Sequence, residues 1–244
     1  MKADPERTMN SPRPLVVVTG AGRGVGYETA LALAMGRGVQ VLAISRDVSA
    51  WATDASGIDV VPIAADISTE AGISAVVKAV GGRPLDGLVN NAGALLKREL
   101  GTWTASDLDL LYAVNARTPL LLTQALLPWL RISTAAHVVN ISSMGGFQGS
   151  VKFPGLVGYS ASKAALACIT ECLAEELKDT RIRCNCLCLG AVDTAMLREA
   201  FPGYHAPTDA KTMGSFIAEF AVNAHKLLNG KVLPVSLSTP RGYM

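Results

Sequence analysis

The sequence predicts an α/β domain of the doubly wound type, with a central, predominantly parallel seven-stranded sheet covered by helices on both faces. Three observations predict it. Short apolar runs of strand length alternate with longer helical stretches from end to end, the pattern of parallel strands joined by helical crossovers. A glycine-rich turn follows the first of these runs directly and opens a helix. The 244 residues show no break in composition, and single α/β domains often reach about 250 residues.

The elements follow in order. Residues 1–13 read as a flexible polar arm, and the domain runs over 14–244. LVVVT at 15–19 is a buried strand. Glycines follow, then a helix over 25–35. Strands are expected over 39–44 and 58–63, with a short irregular helix between them in 47–57. A helix over 69–80 ends at Gly81-Gly82 and Pro84, since glycine and proline punctuate helices. Residues 85–90 give a fourth strand, 106–114 and 119–130 two helices, and AHVVNI at 136–141 a fifth strand. The long helix over 160–177 repeats apolar residues at three-to-four spacing. Strands over 182–189 and 232–237 complete the sheet. The stretch 196–216, which contains FPGYHAPTDAK, is weak as helix or strand and is expected to be a substrate lid.

Composition excludes several classes. Half of the residues are hydrophobic and 17% are charged, which argues against global disorder. The net charge of +2, from 22 basic and 20 acidic residues, gives no broad nucleic-acid footprint. The polar start lacks a signal peptide's apolar core, and no apolar run approaches a membrane span. The expected setting is the cytoplasm, with reduced thiols and no membrane. Cys184, Cys186 and Cys188 alternate along one strand, and Cys168 and Cys172 share a helix face. Buried packing explains them better than a metal site, because neither HExxH nor paired CxxC occurs.

The turn Thr19-Gly20-Ala21-Gly22-Arg23-Gly24-Val25-Gly26 suits a pyrophosphate. Glycines let the backbone approach it closely, and the following helix offers free N–H groups and a positive dipole end. No Lys-Ser/Thr follows, so it is not a P-loop. The second strand ends in Ser45-Arg46. A carboxylate there would select NAD, whereas a nearby arginine suits a 2′-phosphate. Arg46, seconded by Arg23, therefore favours NADP(H) over NAD(H).

Four further motifs carry chemistry: Asn90-Asn91-Ala92-Gly93, Asn115, Ser142-Ser143, and Tyr159-Ser160-Ala161-Ser162-Lys163. In this order and spacing the chain resembles the short-chain dehydrogenase/reductase family over about 14–237. The resemblance implies a Rossmann-type fold and catalysis by Asn115, Ser143, Tyr159 and Lys163. It carries the cofactor to Gly20, Gly22, Arg23, Gly24, Val25, Gly26, Ser45 and Arg46. Asp66 and Ile67 would receive the adenine, and Asn91, Ala92 and Gly93 the adenosine ribose. Gly190, Val192 and Thr194 would touch the nicotinamide amide, with Leu189 standing where the family has proline. Tyr159 and Lys163 would hold the nicotinamide ribose end.

Chemistry gives these residues roles. Tyr159 and Lys163, four apart, share a helix face, and a nearby ammonium favours phenolate and lowers a phenol pKa. Tyr159 would exchange the proton with the carbonyl oxygen. By resemblance Ser143 orients that oxygen and Asn115 holds a water leading to Lys163. The resemblance places Ser143 at the family's serine position better than Ser142, and alternation turns the two opposite ways, so only one can face the nicotinamide. Ser143 and Tyr159 stand 16 residues apart, three more than is usual in the family, so the loop between them is expected to reshape the substrate end. Phe147, Phe153, Phe201, Tyr204, Phe216 and His205 are candidate pocket residues.

The expected activity is reversible hydride transfer between NADP(H) and a carbonyl or secondary alcohol, with a 3-oxoacyl thioester as one candidate substrate. An acidic acyl-carrier protein would then meet Arg117, Arg131 or Lys152. The alternatives are an NAD-dependent secondary-alcohol dehydrogenase and a cofactor-binding regulator without turnover. The resemblance also implies a homodimer or homotetramer, formed through 100–130 and the tyrosine-bearing helix.

Overall fold

A computed structural model describes residues 13–36, 38–54 and 57–237. The expected arm, apart from Arg13, and the last seven residues of the chain lie outside these. The sheet takes shape from β1 (Leu15–Thr19), β2 (Gln40–Ser45), β3 (Val60–Ala64), β4 (Gly87–Asn90), β5 (His137–Ser143), β6 (Arg183–Leu189) and β9 (Val232–Val235). Its order is β3-β2-β1-β4-β5-β6-β9, and every neighbouring pair is parallel. The chain reverses direction of travel between β1 and β4. In such open sheets ligands bind at the carboxyl ends of the strands, at that switch point.

Both faces are covered, which is why the strands read as unbroken apolar runs. On one face α1 (Gly24–Gly36) and α8 (Ala210–Asn223) pack over Val16, Val18, Val41 and Ala43. On the other, α3 (Glu70–Val80), α5 (Thr118–Ile132) and α6 (Val157–Glu176) pack over Leu15, Val17, Leu42 and Leu88. The expected helix over 69–80 starts at Glu70, because Thr69 is its cap and accepts the Gly72 N–H. The short helix in 47–57 is α2 (Trp51–Asp54).

Two expectations change. The two helices predicted over 106–130 form one continuous path. The helix α4 (Ala105–Tyr112) widens into a π-helical turn over Ala113–Arg117 and passes straight into α5. The segment 196–216, read as irregular, is largely helical. It takes in all of α7 (Ala195–Ala200) but its first residue, the short β8 (Thr208–Asp209), which pairs with β7 (Val192–Asp193) ahead of the segment, and the first half of α8. Only the turn between α7 and β8 keeps the irregularity that its prolines and glycine predict. From Ala210 onward the chain is core helix, with Met213, Gly214 and Ile217 buried. Among the described residues, no helix is long and apolar enough to cross a membrane.

Candidate active site

A cavity of about 910 Å³ runs along the carboxyl ends of the strands. Its wall gathers Gly20, Arg23, Gly24, Val25 and Gly26 from the turn into α1, Ser45 and Arg46 from the end of β2, and Asp66 and Ile67 from the end of β3. Asn91, Ala92 and Gly93 follow β4; Ser143 ends β5; Tyr159 and Lys163 come from α6; Gly190, Val192 and Thr194 follow β6. Residues far apart in sequence meet here because parallel strands all end on the same side. Asp66 keeps its carboxyl below the usual range, chiefly through the Ser68 hydroxyl and amide, with Arg46 adding a weaker pull.

Two of the expected residues stand behind the wall rather than in it. Gly22 lies against the end of β2, where a Cβ would run into the Asp47 main-chain oxygen and the Ser45 hydroxyl. It lets the turn pack down, so its part is structural. Asn115 is fully buried in the π-helical turn. Its side-chain oxygen accepts the Ala94 N–H at 2.8 Å, and its amide donates to the Ala94 oxygen at 2.8 Å and to Ser162 Oγ at 2.9 Å. The side chain thereby clamps the loop after β4 to α6.

The reactive groups come from β5 and α6. Ser142 and Ser143 face opposite ways, as alternation requires. Ser142 donates to the Lys163 main-chain oxygen at 2.8 Å and is buried. Ser143 lies in the cavity wall with Tyr159 and accepts the Gly145 N–H at 3.1 Å, and its hydroxyl is near enough to the Tyr159 phenol to favour its ionised form. The Lys163 ammonium, buried, donates to the Ile141 oxygen at 2.8 Å. Desolvation makes its charge costly and brings its pKa down to about 8.

Tyr159 corrects the expectation drawn from spacing. Burial pushes its phenol above the ordinary value, and the Ser143 hydrogen bond only partly opposes this. Desolvation of the phenolate sets the direction, and the nearby Cys188 adds to it.

Other candidates divide clearly. Phe153, Phe201 and Tyr204 line the cavity. Phe147 packs instead against Cys186 and Cys188, Phe216 is exposed on α8, and His205 is exposed outside the wall. Cys184, Cys186 and Cys188 are buried, whereas Cys168 and Cys172, also expected to pack inside, are exposed on α6. The wall also contains residues that sequence reasoning did not single out, among them Leu95, Leu110, Val114, Met144 and Leu156. Nothing in their residue types marks them.

Residues 14–205 match the family described as short chain dehydrogenase. The chain belongs to that family. It is 34% identical over 190 residues to L-xylulose reductase of Caenorhabditis elegans, covering 75% of this chain and 74% of that one. It is 33% identical over 195 residues to carbonyl reductase [NADPH] 2 of Sus scrofa, covering 78% and 76%. Among solved structures it resembles 3-ketoacyl-(acyl-carrier-protein) reductase from Brucella melitensis, complexed with NADH. There the TM-score is 0.79 and the identity 28%, covering 91% of this chain and 96% of that one.

The protein is thus an oxidoreductase acting on CH–OH or carbonyl groups with a nicotinamide cofactor, in a family whose members are typically oligomeric and act on small molecules. The residues present fit that cofactor. The glycine turn and the N-terminus of α1 form a cradle for a pyrophosphate, and the cavity is long enough in strand ends to span a dinucleotide.

Proposed function

We propose that this protein is an NADPH-dependent carbonyl reductase, reversible toward the secondary alcohol. The observation that carries the cofactor preference is the pair Arg23 and Arg46, both lining the cavity beside Ser45. Among the described residues no ion pair engages either guanidinium. The nearest carboxylate past β2, Asp47, is outside the wall and accepts the Ser49 N–H at 2.9 Å. Asp66, the carboxylate that shares the wall with them and feels Arg46 weakly, is held by the Ser68 hydroxyl and amide, so a 2′-phosphate would meet two cations with little opposing charge.

The family resemblance supplies the roles, and the grouping of these residues at one end of the cavity supports them. Ser143 hydrogen-bonds the substrate oxygen and Tyr159 exchanges its proton with it. Lys163 holds the nicotinamide ribose, and its positive charge steadies the phenolate as the proton leaves. A nicotinamide held there would supply the hydride for the carbonyl carbon. A proton from Tyr159 completes the secondary alcohol, and solvent restores it. Asn115 acts as a positioning residue through its side chain. A water leading toward Lys163 would be held by the Asn115 main-chain carbonyl, to which Pro119, four residues on, has no N–H to offer. The turn between α7 and β8, together with α7, is assigned as the cover over the substrate.

A second reading, reduction of a 3-oxoacyl thioester, is favoured by the likeness to the 3-ketoacyl-(acyl-carrier-protein) reductase. Of the three cations that an acidic carrier would need, Lys152 is turned onto its own loop, to the Phe147 oxygen at 2.6 Å and Ser150 Oγ at 2.8 Å. Arg117 and Arg131 remain exposed. Contact between copies is assigned to the outer sides of α4, α5 and α6, where Tyr112, Leu121 and Val157 are exposed. The cytoplasm is the proposed compartment, in keeping with cysteines that stay reduced there.

Fluorescence titration with NADPH and NADH tests the reading. A charge-assisted hydrogen bond is worth about 1.5–3 kcal/mol, so NADPH should bind roughly 10–100-fold tighter. Arg46→Ala should remove most of that preference and leave NADH binding unchanged. Tighter NADH binding in the native protein would instead favour an NAD-dependent secondary-alcohol dehydrogenase.

A further inference from the structure

The reactive end of the cavity differs from the cofactor end in chemistry. Around Ser143 and Tyr159 the wall is formed by Met144, Phe153, Leu156, Met196, Phe201 and Tyr204. Tyr204 adds a hydroxyl to that set, and the wall also holds Thr118 and Ser142, the latter engaged by the Lys163 main-chain oxygen. The charged side chains that line the cavity are committed elsewhere. Arg23, Arg46 and Asp66 stand with the glycine turn and the ends of β2 and β3, Lys163 is held on Ile141, and Asp193 pairs with Arg198.

The apolar wall is held in place. Phe153, from the loop between β5 and α6, meets Phe201, just past α7, edge to face with ring centroids 5.9 Å apart. Behind Phe201, the Lys97 ammonium sits 4.6 Å from the ring centroid and donates to the Ala200 oxygen at 3.4 Å. Lys97 is not in the cavity wall. Its charge braces the aromatic ring from outside and offers nothing to a substrate within. The loop that carries Phe153 is fastened to the same strip of chain, because the Arg98 N–H donates to the Gly155 oxygen at 3.0 Å. The extra length between Ser143 and Tyr159 therefore delivers an aromatic side chain to the pocket, fixed on two sides.

We infer that the substrate is a ketone flanked by an apolar ring, aromatic or alicyclic, with Phe153 and Phe201 as the specificity-determining residues. This rests on the carbonyl-reductase reading above. A polyhydroxylated sugar would bury several hydroxyls against this wall. Ser143 and Tyr159 are engaged by the carbonyl, leaving few side chains, Tyr204 foremost, to satisfy the rest, and unpaired buried hydroxyls are strongly disfavoured. An apolar ring loses nothing there and gains edge-to-face contact with the aromatic pair.

The test uses the full chain and four probes: 2-decalone, α-tetralone, L-xylulose and the N-acetylcysteamine thioester of acetoacetate. The first readout is kcat/KM with NADPH. The second is calorimetric binding of each probe to the protein saturated with NADP⁺. The two cyclic ketones should exceed L-xylulose and the thioester by roughly 100-fold or more in kcat/KM, and they alone should bind measurably. Phe201→Ala and Phe153→Ala should each lower kcat/KM for the cyclic ketones roughly 10–100-fold with NADPH affinity unchanged. Preference for L-xylulose or the thioester overturns the inference and leaves the reductase reading standing. So does NADPH binding with no binding or turnover of the cyclic ketones. Failure to bind either nicotinamide cofactor would strike the underlying reading instead.

Discussion

Lys163 Nζ donates to the Ile141 main-chain oxygen at 2.8 Å, so the reactive turn of α6 is tied directly to the last residue of β5 before the serines. The contact costs the ammonium its water. With its pKa brought down to about 8 by burial, Lys163 is charged below that pH and neutral above it. If its charge steadies the Tyr159 phenolate, carbonyl reduction should decline as pH rises through about 8. The measurement is kcat/KM against pH, which reports groups of the free enzyme. A profile flat from pH 7 to 9.5 would show that the lysine charge plays no part in the reduction.

Tyr159 is the group whose loss should separate chemistry from binding. Tyr159→Phe keeps the ring in place and removes only the hydroxyl that Ser143 contacts. Removing a general acid typically costs about 10²–10⁴-fold in rate. The variant should lose activity on that scale while NADPH titration and thermal melting stay close to those of the native protein. Turnover within a few fold of native would mean that the proton comes from elsewhere.

Most of the fold was legible in the sequence because each strand buries both faces and so reads as an apolar run; LVVVT and AHVVNI needed no other clue. The glycine turn and the Tyr159–Lys163 pair were legible because their chemistry fixes residue type and spacing. What was hidden depends on contacts across the fold. Gly22 looks like a phosphate-binding glycine, yet it packs on Ser45 and Asp47. The Asn115 side chain is satisfied by Ala94 and Ser162, partners that no local pattern reveals. Spacing alone suggested a lowered Tyr159 pKa, but burial, which spacing does not encode, sets the opposite direction. The start of α8 was masked because the turn before it is full of helix breakers. Its inner face is also built of small residues, including Gly214, Ala218 and Ala221, which give a weak apolar signal.

That small-residue face predicts a stability effect. A Cβ at Gly214 would stand 2.7 Å from the main-chain carbon of Glu28 and 2.7 Å from the Thr29 nitrogen, so α8 could keep a side chain there only by moving off α1. Overpacking of this kind costs about 1–3 kcal/mol, and each kcal/mol lowers Tm by roughly 2–4 °C in a domain of this size. Gly214→Ala should therefore melt several degrees lower and weaken NADPH binding, since α1 carries the cofactor cradle. Gly36, at the other end of α1 with nothing near its Cβ position, is the control: Gly36→Ala should leave Tm unchanged or raise it slightly. Equal melting of the two variants would show that α1 and α8 tolerate separation.

His137 predicts a pH-dependent loss of stability. The ring is buried at 1% exposure, with Nδ1 placed to donate to the Ala221 oxygen at 3.0 Å and Nε2 to accept from the Asn185 amide at 2.9 Å. Both bonds are made by the neutral ring. A second proton would face the Asn185 NH₂, with the His225 ring 5.9 Å away. Burial, followed by the His225 charge, pulls the His137 pKa down to about 4 against the hydrogen bond to Ala221. The unfolded chain takes up this proton near pH 6.5, the folded one only near 4. The stability is thus intact above about 6.5, falls steadily between 6.5 and 4, and levels off below. At about 1.4 kcal/mol per pH unit the gap amounts to about 3 kcal/mol. His225, half-buried and lowered by burial and by Lys226 and Arg183, adds to the same slope. Urea unfolding at pH 7, 5.5 and 4.5 measures it. His137→Gln should start less stable at pH 7 and show a clearly shallower fall toward 4.5. Parallel curves for the native protein and the variant would assign the acid sensitivity to other groups.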